Sequence, residues 1–426
     1  MDAFVRRTQP KPNQLRLYAD SRRAGFTLNL RDLAPAANEY TNELKNIRRK
    51  LHKNPEFGLD LPETLKLVLA EVEGLGEVFL GTGMTAAALL IKGELPGPTV
   101  LLRADMDALA VVEDTELDFA STNGFMHACG HDLHIAMGIG AAKLIHARRS
   151  ELRGSVVIWF QPGEEGLAGA DRMLEQEMHL VSGSKPVAAY GVHVFSVYPK
   201  GMFGARPGPL MAAAGGFIAK FNGAGGHGSM PWLSKDPISP MVQAISTLQS
   251  AINKRLDVFD DVVVNVGWVK AGDDHTENVI PETASFGATV RTFSENHSTL
   301  IRGVVADVLE GAAKSFGVEV SIEWMPASKV LINDAVAVTR SRKVIAELFG
   351  EGRYWDMPNP IPGGEDFASV LEEIPGAFIF MGAAPDGVDP RTAPSNHSNK
   401  ALFDDDVLPL GAAFLAAMAF DTLNEH

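Results

Sequence analysis

The sequence predicts an α/β fold in which a domain with a mixed, largely parallel sheet carries an inserted ferredoxin-like α+β domain. Two features of the chain predict this fold. In the first half, short apolar runs bounded by glycine and proline alternate with helical patterns, which is typical of buried parallel strands joined by helices. After about Gly204 the order changes to β-α-β-β-α-β, the split arrangement of ferredoxin-like domains.

The first clear helix lies in the segment EYTNELKNIRRKLHKNPE. Tyr40, Leu44, Ile47 and Leu51 follow one another at intervals of four, three and four residues, so they share one face of an α-helix. Pro55 is expected to end this helix, because proline lacks the N–H donor and clashes with the preceding turn.

Four apolar runs predict strands of the first sheet: MTAAALLIKG, PTVLLRADMD, GSVVIWFQPGEEG and PVAAYGVHVF. A helix is predicted between the second and third runs, in DLHIAMGIGAAKLIHARRS. Asp132 lies near its N-terminus, and aspartate is one of the residues that often cap helices. The α/β pattern resumes after the insertion with the helix DAVAVTRSRKVIAELFG, the strand GAFIFMG and a closing helix from about Asp406.

Six consecutive segments predict the inserted domain: LMAAAGGFIAKFNG, DPISPMVQAISTLQSAINKRL, VVVNVGWVKAG, ASFGATVRTF, HSTLIRGVVADVLEGAAKSFG and VEVSIEWM. We therefore predict an N-terminal extension over residues 1–35, a discontinuous first domain over 36–204 and 326–426, and the inserted domain over 205–325. A chain of 426 residues exceeds the size at which one hydrophobic core usually keeps growing, which agrees with two domains.

The composition narrows the range of partners and compartments. A formal net charge of −15 disfavours nucleic acid or an anionic membrane as the main partner. No apolar run is expected to reach the roughly 18 residues of a membrane span, and the N-terminal region lacks the apolar segment of a signal peptide. Because Cys129 is the single cysteine and no internal disulfide can form, we predict a cytoplasmic protein.

Side chains of the metal-ligand type lie in or just beyond the predicted strands. Cys129 and His131 lie in MHACGHD after the second run, Glu164 and Glu165 end the third, and His193 lies in the fourth. Ligands of open α/β sheets bind at the carboxyl ends of the strands, so these side chains are expected to converge. Thiolate, imidazole and carboxylate groups bind zinc and similar metals. Singly, each has an ordinary explanation: a small buried cysteine, a solvated turn, a core histidine.

Five motifs, in this order, resemble the M20 metallopeptidase family: MHACGHD, QPGEEG, GVHV, GGHGSMP and GGEDFA. The likeness extends from LHKNPEFG at Leu51 to the closing helix and is greatest to the M20D amidohydrolase branch. That branch includes hippurate hydrolases, N-acyl-amino-acid amidohydrolases and plant auxin-conjugate hydrolases. A cysteine in the metal motif is particular to this branch, which implies that Cys129 is a metal-bridging thiolate.

The resemblance implies two divalent metal ions per subunit, zinc or manganese, with cobalt or nickel as alternatives. The implied ligands are Cys129, His131, Glu165, His193 and His397. Glu164 takes the place of the general base of the family, and Asp105 in RADMD is similar to the residue that supports the metal-site loop.

The inserted domain resembles the lid and dimerisation domain of the family, which implies a homodimer or a higher homo-oligomer. His227 matches a histidine that polarises the scissile carbonyl, in some branches from the neighbouring subunit. Asn278 and Arg291 match positions near the substrate carboxylate, which a guanidinium can pair through two hydrogen bonds. Alternatively, Arg291 is an exposed strand charge. Trp232 stands where the family commonly has histidine; it either favours a bulky acyl group or packs on the surface.

The implied activity is hydrolysis of N-acyl or N-aroyl amino acids to a carboxylic acid and a free amino acid, through a metal-activated water with Glu164 as general base. The alternative is an M20-type dipeptidase or aminoacylase acting on short peptides. Two further hypotheses are a non-enzymatic protein that binds metal or amino acids, and a redox protein that uses the single cysteine. The expected partner is a small-molecule substrate.

Overall fold

The computed structural model describes residues 28–257, 259–389 and 391–425. Most of the predicted N-terminal extension, residues 1–27, lies outside the described residues. From Leu28 onward the chain contributes to the core: Leu28, Leu30 and Leu33 are buried in the same cluster as the closing helix.

The helices are α1 (Leu33–Glu39), α2 (Thr41–Lys53), α3 (Pro62–Glu71), α4 (His131–Ala147), α5 (Gly169–Glu175), α6 (Ile238–Asn253), α7 (Glu295–Ser315), α8 (Ala335–Phe349), α9 (Phe367–Glu373) and α10 (Leu408–Glu425). The strands are β1 (Glu77–Leu80), β2 (Ala87–Lys92), β3 (Leu95–Asp105), β4 (Arg153–Gln161), β5 (Ala188–Phe195), β6 (Phe203–Ala205), β7 (Gly208–Met211), β8 (Ala213–Asn222), β9 (Gly226–His227), β10 (Val262–Ala271), β11 (Val279–Ile280), β12 (Thr283–Thr292), β13 (Glu319–Trp324), β14 (Leu331–Asn333), β15 (Tyr354–Asp356) and β16 (Gly376–Gly382).

The larger sheet has eight strands in the order β1-β2-β4-β3-β5-β16-β6-β15. Its central pairs β4–β3, β3–β5 and β5–β16 are parallel, whereas β1–β2, β2–β4 and β16–β6 are antiparallel. Helices α4 and α10 cover one face, and α5 and α9 contribute to the core on the other. Because both faces are covered, the central strands are apolar at nearly every position, and β16 is buried throughout.

The second sheet has the order β10-β12-β8-β13, and all its pairs are antiparallel. Helices α6 and α7 share a separate core with this sheet, which contains Phe217, Phe286, Leu248 and Ile301. The chain order β8-α6-β10-β12-α7-β13 is the predicted β-α-β-β-α-β arrangement. The predicted fold class is therefore confirmed.

Local sequence accounts well for the long elements. Helix α2 ends at Lys53, two residues before Pro55, because proline disfavours helical geometry in the residue before it. Leu44, Ile47 and Leu51 are buried on the predicted face. The short elements β6, β15, α5 and α9 were not predicted, because three to seven residues carry too little periodicity.

Among the described residues, one helix, Asp405–Glu425, is long and apolar enough to cross a membrane, with a mean hydropathy of 1.5 over its most apolar 18 residues. Within the protein, 83% of that 18-residue window is buried. Helix α10 packs against α4 and β3, so its apolar character matches its place in the core.

Candidate metal centre

A left-handed glycine places the first pair of ligand-type side chains. Gly130 has φ +87° and immediately precedes α4, so that Cys129 ends the loop and His131 begins the helix. A Cβ atom at Gly130 would lie 2.4 Å from the Val194 side chain, which no residue other than glycine avoids. The tight turn brings Cys129 and His131 against the end of β5, where His193 lies.

The five predicted ligands are brought together in space. The Cys129 Sγ atom lies 3.4 Å from His193 Nε2 and 3.3 Å from His397 Nε2. His397 Nε2 also lies 3.2 Å from Glu165 Oε1. The ligand atoms of Cys129, His131 and His193 all fall within 4.8 Å of one another, as do those of Cys129, Glu165 and His397. Cys129 belongs to both groups, so its sulfur lies between them.

The histidine geometry fits metal binding. The Nδ1–H group of His131 donates to the Asp107 carbonyl oxygen (2.8 Å), and that of His193 donates to the Val194 carbonyl oxygen (2.9 Å). These bonds leave Nε2 of each ring facing the cluster, which is the usual arrangement of metal-binding histidines. Among the described residues, the buried His131 Nε2 atom has no hydrogen-bond partner. A thiolate, imidazoles and a carboxylate around this atom suit a pair of first-row divalent ions.

Asp107 shapes the turn that carries the two glutamates. Its carboxylate accepts hydrogen bonds from the backbone N–H groups of Glu164 and Glu165, both at 3.0 Å. The Glu165 carboxylate turns toward His397, whereas Glu164 Oε2 lies 4.0 Å from His131 Nε2. The neighbouring carboxylates therefore face different partners.

The environments of these two carboxylates shift their pKa values in opposite directions. Burial and the negative charges of Glu365 and Glu165 raise the pKa of Glu164 well above its usual range. Burial also acts to raise the pKa of Glu165, but the hydrogen bond to His397 and the charge of His131 lower it overall. The two neighbouring carboxylates therefore lie in different electrostatic environments.

Asp105 supports the site as a hydrogen-bonding partner of a further histidine. His134 Nε2 accepts the backbone N–H of Val194 at 2.9 Å, so its Nδ1–H group donates to Asp105 Oδ1 at 2.6 Å. Asp105 Oδ2 lies 3.5 Å from His131 Nε2. This chain of contacts fixes the start of α4 to the end of β5. His134 was not predicted from the sequence, although its spacing of three residues from His131 places both on one side of α4.

A buried arginine connects Asp105 to the GGEDFA motif. Arg103 forms ion pairs with Asp105, with Glu365 at 2.6 Å and with Asp366 at 3.2 Å. Gln161 also donates to Asp366, at 2.8 and 2.9 Å. The motif therefore lies beside the site, and Arg103, its partner, was not predicted from the sequence.

His397 reaches the cluster from a loop with unusual backbone geometry. Its φ angle is +69°, which is uncommon for a residue other than glycine and often marks a functional position. The neighbouring Asn396 side chain donates to the carbonyl oxygens of Cys129 (3.2 Å) and Val194 (2.9 Å) and accepts from the Ser196 backbone N–H (3.0 Å). Asn396 thus holds this loop against the segments that carry Cys129 and His193, a role that was not predicted from the sequence.

The predicted lid residues lie apart from this cluster. His227 and Asn278 come together on a two-stranded ribbon, in which β9 pairs with β11 and the Gly228 N–H donates to the Asn278 carbonyl oxygen at 2.7 Å. In the described chain, the His227 ring forms hydrogen bonds with Ser229 alone. Trp232, in the same loop, is 74% exposed.

Arg291 lies where the inserted domain meets the first domain. Its guanidinium donates to the Pro362 carbonyl oxygen at 3.0 Å and to the Gly215 carbonyl oxygen at 3.2 Å. In the sheet it stands opposite Ala214. Ala214 lines a cavity of about 270 Å³ together with Glu164, Glu165 and Glu365. Arg291 is therefore close to the rim of this cavity.

Comparison with known proteins defines the class of this site. Residues 101–421 match the family model of peptidase family M20/M25/M40. N-acetylcysteine deacetylase from Bacillus subtilis is 36% identical over 386 residues, which cover 89% of this chain and 97% of that protein. IAA-amino acid hydrolase ILR1-like 2 from Arabidopsis thaliana is 35% identical over 385 residues, 89% of this chain and 85% of the relative.

The structural comparison agrees. The crystal structure of the Bacillus subtilis YXEP protein, a dinuclear metal-binding peptidase from the M20 family, superimposes with a TM-score of 0.76 at 33% identity. The alignment covers 91% of this chain and 99% of that chain. The chain belongs to the M20 family, as its motifs indicated. It is a metal-dependent hydrolase that acts on amide bonds.

Proposed function

We propose that this protein hydrolyses N-acyl and N-aroyl amino acids to a carboxylic acid and a free amino acid. The names of two similar proteins, a deacetylase of N-acetylcysteine and a hydrolase of IAA-amino acids, support this substrate class. The proposed ligands of two divalent ions, zinc or manganese with cobalt or nickel as alternatives, are Cys129, His131, Glu165, His193 and His397. Such ions, when bound, polarise the amide carbonyl and lower the pKa of water.

The main support for this proposal is that the carboxylates of Glu164 and Glu165 face different partners. Glu165 points toward Cys129 and His397, whereas Glu164 lies 4.0 Å from His131 Nε2, with its pKa raised by burial and by Glu365. In the proposed reaction, Glu164 takes a proton from the attacking water. It then passes this proton to the nitrogen of the departing amino acid, so one carboxylate serves both proton transfers.

We further propose that the protein acts as a homodimer joined through the inserted domain, with His227 reaching the site of the partner subunit. Three observations support this arrangement. His227 is exposed and does not contact the ligand cluster of its own chain, within the described residues. Strand β10 is an edge strand, and its residues Val263, Trp268 and Val269 are about half exposed.

In that arrangement the ribbon would complete the substrate site. His227 would donate a hydrogen bond to the carbonyl oxygen as negative charge develops on it, and Asn278 and Arg291 would bind the substrate carboxylate. The proposed domain limits remain 36–204 with 326–426 for the catalytic part and 205–325 for the inserted lid. A cytoplasmic location is proposed from the single free cysteine.

The test of the proposed base is the substitution Glu164→Gln. We expect turnover of N-acetyl and N-benzoyl amino acids to be abolished while the bound metal content stays near that of the wild type. The control is Glu175→Gln, an exposed residue of α5, which should retain both metal and activity. Substantial residual kcat in the Glu164 variant would show that another group is the base.

The competing hypothesis, hydrolysis of short peptides, is tested with the same protein. The metal-reconstituted enzyme is assayed with hippurate-like substrates and with unblocked dipeptides at equal concentrations. The proposal expects a higher kcat/KM for the N-acylated substrates, and a preference for dipeptides would favour the peptidase alternative.

A further inference from the structure

We infer that a row of aromatic side chains beside the metal centre, Phe195, Tyr198 and Trp355, is a subsite for a flat aromatic acyl group. The inference rests on the proposed function and specifies which acyl groups the enzyme prefers. The row begins at the ligand-type residue His193, whose ring centroid lies 5.1 Å from that of Phe195. Phe195 lies 4.9 Å from Tyr198, and Tyr198 lies 5.7 Å from Trp355.

All members of the row lie on one face of the larger sheet. His193 and Phe195 are two residues apart in β5, so they point to the same side. Phe380 packs beneath Phe195 with a centroid distance of 4.8 Å. Gly204 in β6 has no side chain, and a Cβ atom there would lie 3.1 Å from the Trp355 ring. Gly204 therefore allows Trp355 to lie flat against the sheet.

The outer members of the row are partly open to solvent. Phe195 and Tyr198 are half-buried, and Trp355 is 41% exposed. Among the described residues, neither the Tyr198 hydroxyl nor the Trp355 Nε1–H has a hydrogen-bond partner. Solvent reaches these aromatic side chains, so their faces and polar ends remain open to a ligand that carries both a ring and a polar group.

The position of Glu164 assigns this row to the acyl side of the substrate. Glu164 must reach the departing nitrogen, so the amino acid portion lies over the cavity that Glu164 and Ala214 line. Arg291, opposite Ala214 in the sheet, is near the carboxylate of that portion. The acyl group then extends the other way, past Cys129 and His193 toward Phe195.

Binding of free carboxylic acids tests the subsite without turnover. Isothermal titration calorimetry of the metal-loaded protein compares naphthoate with acetate. Stacking of a naphthyl ring on two or three aromatic side chains predicts at least about tenfold tighter binding of naphthoate. The variants Tyr198→Leu and Trp355→Leu should each weaken naphthoate by about fivefold and leave acetate within about twofold. The control Phe316→Leu removes an aromatic residue of similar exposure, just beyond the end of α7 in the inserted domain, and should change neither ligand.

Hydrolysis separates the subsite from the proposed function. Both leucine variants should raise KM for N-naphthoyl amino acids with little change in kcat, and should leave N-acetyl amino acids unaffected. Equal affinity for naphthoate and acetate, or naphthoate affinity that neither variant changes, would overturn the subsite. Selective naphthoate binding without hydrolysis of any N-acyl amino acid would confirm the subsite and overturn the proposed function.

Discussion

The ligand cluster and the β9–β11 ribbon differ in how firmly the protein holds their functional side chains. In the cluster, Cys129, His131 and His193 are at most 7% exposed, and His131 and His193 each have one ring nitrogen fixed by a backbone carbonyl, whereas the His397 side chain is 55% exposed. On the ribbon, His227 is exposed and bonds only to a serine two residues along the chain, within the described residues. The nearby Trp232 is 74% exposed.

One chain therefore builds the ligand cluster by itself, whereas the β9–β11 ribbon needs a contact with another domain or subunit to take part in the site. Groups that hold metal ions must be oriented before binding, because misplaced ligands lose affinity. A group that stabilises the transition state contributes only when it is in place during the reaction, and so can arrive with a moving domain or a second subunit. The comparison predicts that substitutions in the cluster abolish metal binding, whereas those on the ribbon impair turnover alone.

The largest effect is expected from Cys129→Ser. A hydroxyl is a far poorer bridging ligand than a thiolate, so both metal content and activity should fall, the latter by about 1000-fold or more, beyond the ~10–100-fold that loss of an outer partner costs. Metal analysis and kcat/KM measurements check this. Near-normal metal content in the variant would mean that the sulfur is not a ligand.

Substitution of Arg103 tests whether the pairing of buried charges behind the cluster stabilises the folded protein. Arg103→Met leaves the buried carboxylates of Asp105, Glu365 and Asp366 without their cation, so unfolding in urea should show a loss of about 3–5 kcal/mol. The control Arg255→Met breaks an exposed pair with Asp307 and should cost no more than about 1 kcal/mol. Equal losses in the two variants would contradict this distinction.

Substitution of the ribbon histidine should separate metal binding from turnover. His227→Ala is expected to lower kcat by about 100–1000-fold, the usual effect of removing one oxyanion donor, with metal content unchanged. His275→Ala, another exposed histidine of the inserted domain, is the control and should be active. If His227 acts across subunits, mixing the His227→Ala and Glu164→Gln proteins should restore activity in mixed dimers. No recovery would place His227 at the site of its own chain.

The sequence predicted those parts of the molecule that depend on residues close to one another along the chain. Cys129 and His131 share one motif, and long apolar runs predicted β3, β4 and β5, because a strand or helix of ten residues has a clear period. Arg103, Asp107 and Asn396 were missed, because each matters through a partner that is close only in the folded chain. His397 was predicted through the family resemblance alone, since nothing in its local segment distinguishes it from a loop histidine.

The smallest of these effects is expected from Asn396→Ala. This change removes the hydrogen bonds to the carbonyl oxygens of Cys129 and Val194, so the loop of His397 should loosen without loss of a ligand. Metal affinity should fall by about 10–100-fold, as for other partners that orient a ligand. A chelator competition assay measures it, and unchanged affinity would assign Asn396 to the fold alone.

We propose that the Cys129 sulfur would hold both of two metal ions, and anomalous X-ray diffraction from metal-loaded crystals can locate these ions. Two peaks are expected about 3.5–4 Å apart, each about 2.3 Å from the Cys129 sulfur if the metal is zinc. The His131 and Glu165 side chains should bind one or the other ion, as should His193 and His397. A single peak, or two peaks away from Cys129, would show that Cys129 does not bridge two ions.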